Sequence, residues 1–297
     1  MSNNLGGYVT KFTARLDKIL AQETKTSFLN INDAFLGEFS GVGEVKLPTI
    51  AVQGLGDYDR ANGFVPGDAS LTWQSYKLRY DRGREFSIDD MDDEEHMRII
   101  SANVMAEFAR TKVVPEVDAL RFALLAAGAG QSTSEGITTP EGALEAVLAA
   151  EEHFEGLGYD PSGLTLNLTA TMKTLLRKAE PWRIGQGEAP NTRFETFDDM
   201  RLNVIPNDRF YTAIDLLDGT GGEAAGGYAK ASGGKSLNFM IAAPEAAAAI
   251  TKHETLRYFA PSVNQSKDAH KWQYRLFHDL LVYHEKADLI YASVATA

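Results

Sequence analysis

From residue 272 onward, bulk or an amphipathic ring recurs at every second position: Trp272, Tyr274, Leu276, His278, Leu280, Val282 and His284. The intervening positions hold Gln273, Arg275, Phe277, Asp279, Leu281, Tyr283 and Glu285, so neither side is purely polar. A period of two is that of a strand, and this pattern predicts one packed on one side and contacting something on the other. Lys286, Ala287 and Asp288 read as a tight turn into Leu289, Ile290 and Tyr291, so the pair predicts a long hairpin closing the chain.

Residues 8–22 place Tyr8, Val9, Phe12, Leu16, Ile19 and Leu20 at three- and four-residue spacing, the pattern of a short amphipathic helix. So short a helix must bury its apolar face, either on its own body or on a neighbouring subunit. From residue 44 the pattern changes to strands, with Val45, Leu47, Ile50 and Val52 in the first and Leu71, Trp73, Tyr76, Leu78 and Tyr80 in the second. Pro48 falls where the alternation slips, predicting a bulge or an edge strand. Between the strands, Gly54, Gly56, Gly63, Pro66 and Gly67 make a tip rich in turn residues. The result is a long hairpin, and two strands alone need an outside surface to cover their apolar residues.

The acidic run over residues 89–95 precedes Ile99, Ile100, Val104 and Phe108, where carboxylates favour the positive end of a helix. No histidine cluster or second carboxylate group completes a metal site there. The helix is expected to kink at Pro115, restart with Glu116 and Asp118, and stop at Gly128. Its length, roughly 45–50 Å at 1.5 Å per residue, suits a spine. Thr139 and Pro140 open a further helix to Gly156, Leu164, Leu166 and Leu168 alternate as a strand, and residues 170–178 and 244–253 read as two more helices. Between these lie a strand at 202–205 and a glycine-rich stretch at 219–234, read as a mobile loop.

With 297 residues and 44% hydrophobic content the chain can bury one large core or two smaller ones. It has no cysteine, which removes disulfides, thiolate zinc sites and a cysteine nucleophile. No apolar run has the length of a signal or a membrane span, and the expectation is a soluble, cytoplasmic protein. The net charge of −12 argues against an extended nucleic-acid surface, although solubility alone also accounts for it.

Motifs of catalysis and cofactor binding break down one by one. Gly233, Gly234, Lys235 and Ser236 imitate the end of a phosphate loop, but the position that needs the earlier glycine is Ala229, and residues 237–242 read as a strand. Residues 219–224 have dinucleotide-like glycine spacing without a convincing helix to follow. There is no Gly-x-Ser-x-Gly, and the six histidines lack zinc spacing. His278 and His284 are too far apart on their strand to share a metal. The expectation is no catalytic residue, no cofactor and no metal.

Several segments, in order, carry a resemblance. They are Lys46, Leu47 and Pro48; residues 54–60 with Gly63 and Phe64; Trp73; residues 81–86, including Arg82 and Arg84; Phe108 and Arg110; residues 114–118; and Val263, Asn264 and Gln265 ahead of the terminal strand. Together they resemble tailed-bacteriophage major capsid proteins of the Hong Kong 97-type fold. The resemblance implies an α+β chain with an N-terminal arm (1–43), an extended β-hairpin or E-loop (44–88), a peripheral domain with the spine helix and C-terminal strands (89–135 and 256–297), and an inserted α/β axial domain (136–255). It further implies self-assembly through pentamers and hexamers into an icosahedral head around double-stranded DNA, in a virion assembled in the host cytoplasm. Portal protein and a decoration or cement protein are implied partners. About forty residues precede the hairpin, so a separate scaffolding protein is expected. The candidate inter-subunit contacts are Phe12, Leu16, Lys46, Tyr58, Arg60, Phe64, Trp73, Arg82 and Arg84. An encapsulin-like nanocompartment shell and a soluble α/β enzyme are the alternatives.

Overall fold

A computed structural model describes residues 24–30, 44–58, 60, 63–89, 99–189 and 192–296. The expected helix at 8–22, with Phe12 and Leu16, lies outside these residues, as does the acidic run after Asp89. In chain order the first elements are β1 (Glu44–Val52), β2 (Ala69–Lys77), β3 (Tyr80–Asp89), α1 (Ile99–Phe108), a π turn (Ala109–Val113), α2 (Val114–Ala127), β4 (Gln131–Glu135) and α3 (Pro140–Gly156). They are followed by β5 (Thr165–Thr169), α4 (Ala170–Ala179), β6 (Ile184–Ala189), β7 (Thr192–Phe197), β8 (Met200–Ile205), β9 (Ile214–Leu216) and β10 (Tyr228–Lys230). The last four are β11 (Leu237–Ala242), β12 (Ala247–Phe259), β13 (Ala269–Val282) and β14 (Ile290–Ala295).

Two sheets share one long helix. The larger has seven strands in the order β4-β14-β11-β5-β8-β7-β6, and the smaller has three antiparallel strands in the order β12-β13-β3. One side of the helix sends Phe122 and Leu125 into the core of the larger sheet, where the rings of Phe122 and Phe210 meet edge-on at 5.0 Å. Another sends Met105, Ala109, Val113 and Val117 onto Trp272, Tyr274, Leu276 and Leu256 of the smaller. The helical run 99–127 spans about 43 Å at 1.5 Å per residue. Pro115 has no N–H and its ring crowds the carbonyl four residues back, and the π turn immediately before it widens the helix at that point. The helix ends at Gly128, where Val282 leaves no room for a side chain: a Cβ there would stand 2.8 Å from Val282 Cγ1.

Local signals hold where they are chemically specific. Thr139 caps α3, its hydroxyl accepting from Gly142 N at 3.2 Å, and Thr169 caps α4 through Met172 N at 3.3 Å. β1 and β2 pair in continuous register with Pro48 opposite Trp73, so there is no bulge, and proline is tolerated because this sheet has only two strands, both of them edges.

Several expectations are corrected. β13 does not form a hairpin with the segment that follows; the 3-10 turn His284–Leu289 carries the chain away, and β14 joins the larger sheet between β11 and β4. Ile290, Tyr291, Ala292, Ser293 and Val294 are all buried, the mark of a strand covered on both faces. The helix expected at 244–253 is a 3-10 turn followed by β12. Alanine favours helix by about 0.5 kcal/mol per residue over β-branched residues, but Ala247, Ala248 and Ala249 lie buried opposite Val282, Leu281 and Leu280, and this packing decides. The second hairpin strand ends at Lys77, and β3 turns off to pair with β13. The glycine-rich stretch includes a 3-10 turn, Gly221–Glu223, and strand β10, which pairs with β9 just before it. Finally, β12 runs through the expected domain limit at 255/256, while β4 and β14 lie side by side in the larger sheet.

Candidate assembly surfaces

The hairpin β1–β2 rises from a small core of Val45, Leu78, Ala248 and Ile250, with Tyr76 packed against it. Beyond that base, residues 52–58, 60 and 64–70 are exposed. Gln53 and Asp68 close the paired section: Gln53 N donates to Asp68 O at 3.3 Å, and Asp68 N donates to Gln53 Oε1 at 3.1 Å. The tip then exposes Leu55, Phe64 at 87%, Val65 at 63% and Tyr58 at 60%. The Tyr58 and Phe64 rings pack on each other at 4.8 Å, so the tip has a shape of its own. Arg60 is also exposed. Lys46 and Trp73 sit on the paired strands.

Arg82 and Arg84 extend from the same face of β3, and both reach across to the 217–227 segment. Arg82 Nε donates to Glu116 Oε1 at 2.7 Å, Nη1 to Leu217 O at 2.9 Å and Nη2 to Gly227 O at 3.1 Å. Three of its nitrogens thus donate inside the chain. Arg84 Nη2 donates to Ala224 O at 2.8 Å and the side chain stays exposed. Gly219, at φ +79°, lets it pass, since a Cβ there would lie 2.8 Å from Arg84 Nη1.

The root of the N-terminal segment is fixed by a buried polar network that the sequence reading missed. Asp118 on α2 accepts from Lys25 N at 3.1 Å, Thr26 N at 3.2 Å, Thr26 Oγ1 at 2.8 Å and Arg209 Nη1 at 3.3 Å. Arg121 donates to Thr26 Oγ1 and Asn30 Oδ1, each at 3.1 Å, and Asn203 Nδ2 donates to Lys25 O at 2.7 Å. Burial pushes the Asp118 carboxyl up against the pull of these donors, and burial lowers Arg121 to about 10. The available signal was an Asp and an Arg three residues apart among Val117, Leu120, Phe122 and Leu125 on an otherwise apolar helix.

His278 is buried and His284 lies in the following 3-10 turn, so they share no site. Lys235 and Ser236 lead directly into β11, without the helix a phosphate loop requires. Among the described residues no cluster of histidine and carboxylate groups is arranged to hold a metal, and no helix is long and apolar enough to cross a membrane.

No family model and no curated protein matches the chain. Solved structures do. A chain of Mycobacterium phage Che8 is 13% identical with a TM-score of 0.57, over 90% of each chain. The bacteriophage PhiM1 mature capsid is 10% identical with a TM-score of 0.56, over 87% of this chain and 83% of that one. The virus-like particle of Pyrococcus furiosus is 11% identical with a TM-score of 0.56, over 96% of this chain and 99% of that one. Two sheets joined by one long helix, with a projecting hairpin and a mixed α/β body, are the fold that this chain shares with these phage-capsid and virus-like-particle chains.

Proposed function

We propose that the chain is the major subunit of a tailed-phage head and assembles through pentamers and hexamers into an icosahedral shell around double-stranded DNA. The observation that carries this reading is the hairpin, a two-stranded arm whose apolar tip is exposed among the described residues. Covering one such side chain on a neighbour is worth about 1.5–3 kcal/mol before the costs of association. Contacts of that size are weak singly and strong when repeated around a closed shell.

In this reading the hairpin β1–β2 is the E-loop and the 99–127 run is the spine helix. The three-stranded sheet with that helix forms the peripheral domain, and the seven-stranded sheet with α3 and α4 forms the axial domain. Tyr58, Arg60 and Phe64 meet the neighbour first, with Lys46 and Trp73 along the arm, Arg84 beside the 217–227 segment, and Phe12 and Leu16 on the N-terminal arm. Arg82 instead holds its own subunit together. A separate scaffolding protein, a portal and a decoration protein are the proposed partners, and the acidic chain encloses DNA without gripping it.

The test is assembly. Concentrated protein, with and without a co-expressed scaffold, is expected to give shells, tubes or capsomers by electron microscopy and light scattering. Only monomer under both conditions would sink the proposal.

A cellular compartment shell is the second reading, favoured by the likeness to the SrpI encapsulin of Synechococcus elongatus, 11% identical with a TM-score of 0.50 over 86% of this chain and 83% of that one. Particle contents separate the two: packaged DNA supports a phage head, and an enzyme cargo supports a compartment.

A further inference from the structure

Between β3, β13 and the α1–α2 helix lies a cleft of about 590 Å³, within the size range of small-molecule sites. Its walls are apolar, formed by Phe86, Val104, Phe108, Tyr274 and Leu276, with the π turn along one side. π turns inside helices concentrate at functional positions. Three acidic groups border the cleft, and each has a partner: Glu107 binds Arg110, Glu116 binds Arg82, and Asp218 accepts from Thr220 N. Two exposed cations at the mouth differ. Among the described residues neither Arg84 nor Lys112 forms an ion pair, and Arg84 spends one N–H on a backbone carbonyl. His278 also lines the cleft and is 2% exposed.

We propose that this cleft binds a small amphipathic acid, its carboxylate held at the mouth by Arg84 and Lys112 and its apolar body against Phe86, Phe108 and Tyr274. The apolar area supplies affinity and the two cations select for charge. This goes beyond shell formation, because it assigns the cleft to a molecule other than the chain itself.

The probe is the aromatic sulfonate ANS, titrated into dispersed chains lacking residues 55–66, so that the exposed tip contributes no signal, and then displaced with decanoate. One saturable site per chain is expected, with decanoate displacing ANS and decanol doing so at least ten-fold more weakly. Arg84→Ala with Lys112→Ala is expected to weaken decanoate about ten-fold, the loss of a charge-assisted contact. Val104→Phe is expected to block the site with circular dichroism unchanged. Non-saturable ANS binding, equal displacement by decanol, or unchanged decanoate binding in Val104→Phe would overturn the assignment. So would a site that disappears when intact chains assemble, which would give the cleft to a neighbouring copy.

Discussion

The hydroxyl of Thr26 donates to the buried carboxylate of Asp118 at 2.8 Å, across 92 residues of sequence. That contact ties the root of the N-terminal segment to the helix serving both sheets. Asn203 on β8 and the bridge from Asn30 to Ala249 on β12 tie the same root to each sheet. Residues 25–30 are therefore part of the folded body before any neighbour arrives.

The two partners are expected to differ in cost. Asp118→Ala strands the Arg209 and Arg121 guanidinium groups and two backbone N–H groups in a buried site, a loss of about 3–5 kcal/mol. Thr26→Ala removes one hydroxyl and is expected to cost about 1–2 kcal/mol. Urea unfolding of the dispersed chain measures both, and equal losses would show that the carboxylate is not the centre of the network.

Arg82 closes the body at a second point. Arg82→Ala loses the fork to Glu116 and two carbonyl contacts from a half-buried position, an expected cost of about 1–3 kcal/mol. Amide exchange across residues 217–228 is expected to quicken, because Leu217 and Gly227 lose the guanidinium that spans them. Lysine carries the charge but not the fork, so Arg82→Lys is expected to restore less than half of the protection. Unchanged exchange in the alanine variant would mean that the segment is held by other contacts.

What could be read from the sequence was whatever local chemistry decides. The alternation at 272–282 is β13, Thr139 and Pro140 open α3, and the glycines around 54–67 mark a turn between paired strands. Partners distant in sequence were hidden. The alanines at 247–249 favour helix in isolation and become strand only because β13 lies beside them. Tyr80 continues the hairpin's apolar pattern, yet β3 leaves to pair with β13, where Tyr80 lies opposite His278. Of the candidate contacts, the tip residues Tyr58 and Phe64 were legible as surplus apolar bulk in a polar turn. The inward role of Arg82 was not, since its acceptors are Glu116 and two backbone carbonyls that have no sequence signature.

Acid is expected to loosen the smaller sheet through His278. Burial, with Arg121 and Arg82 nearby, holds its imidazole down at about 3 from the ordinary 6.5. The unfolded chain therefore takes up the proton first as pH falls, so this contribution is complete above 6.5 and is lost from there down towards 3. Between 6.5 and about pH 5, before most carboxylates titrate, the loss is about 2 kcal/mol at 1.36 kcal/mol per pH unit. Unfolding free energies for the parent chain and His278→Phe measure this, and parallel pH profiles would remove His278 as the cause.

The hairpin separates folding from assembly. Removing residues 55–66 leaves Gly54 and Gly67 as a two-residue turn between Gln53 and Asp68, which already pair, and two glycines suit the tight turns of hairpins. The deleted tip touches no core: Leu55, Tyr58, Phe64 and Val65 are exposed, and the base at Val45 and Leu78 is kept. Thermal unfolding is therefore expected to change by less than about 1 kcal/mol. Closed shells are expected to vanish, because each subunit would lose the apolar surface proposed to meet its neighbour. If the tip were instead core for its own chain, the same deletion would cost several kcal/mol. A shortened chain that unfolds early would therefore count against the arm, and one that folds and still closes shells would place the decisive contacts elsewhere on the subunit.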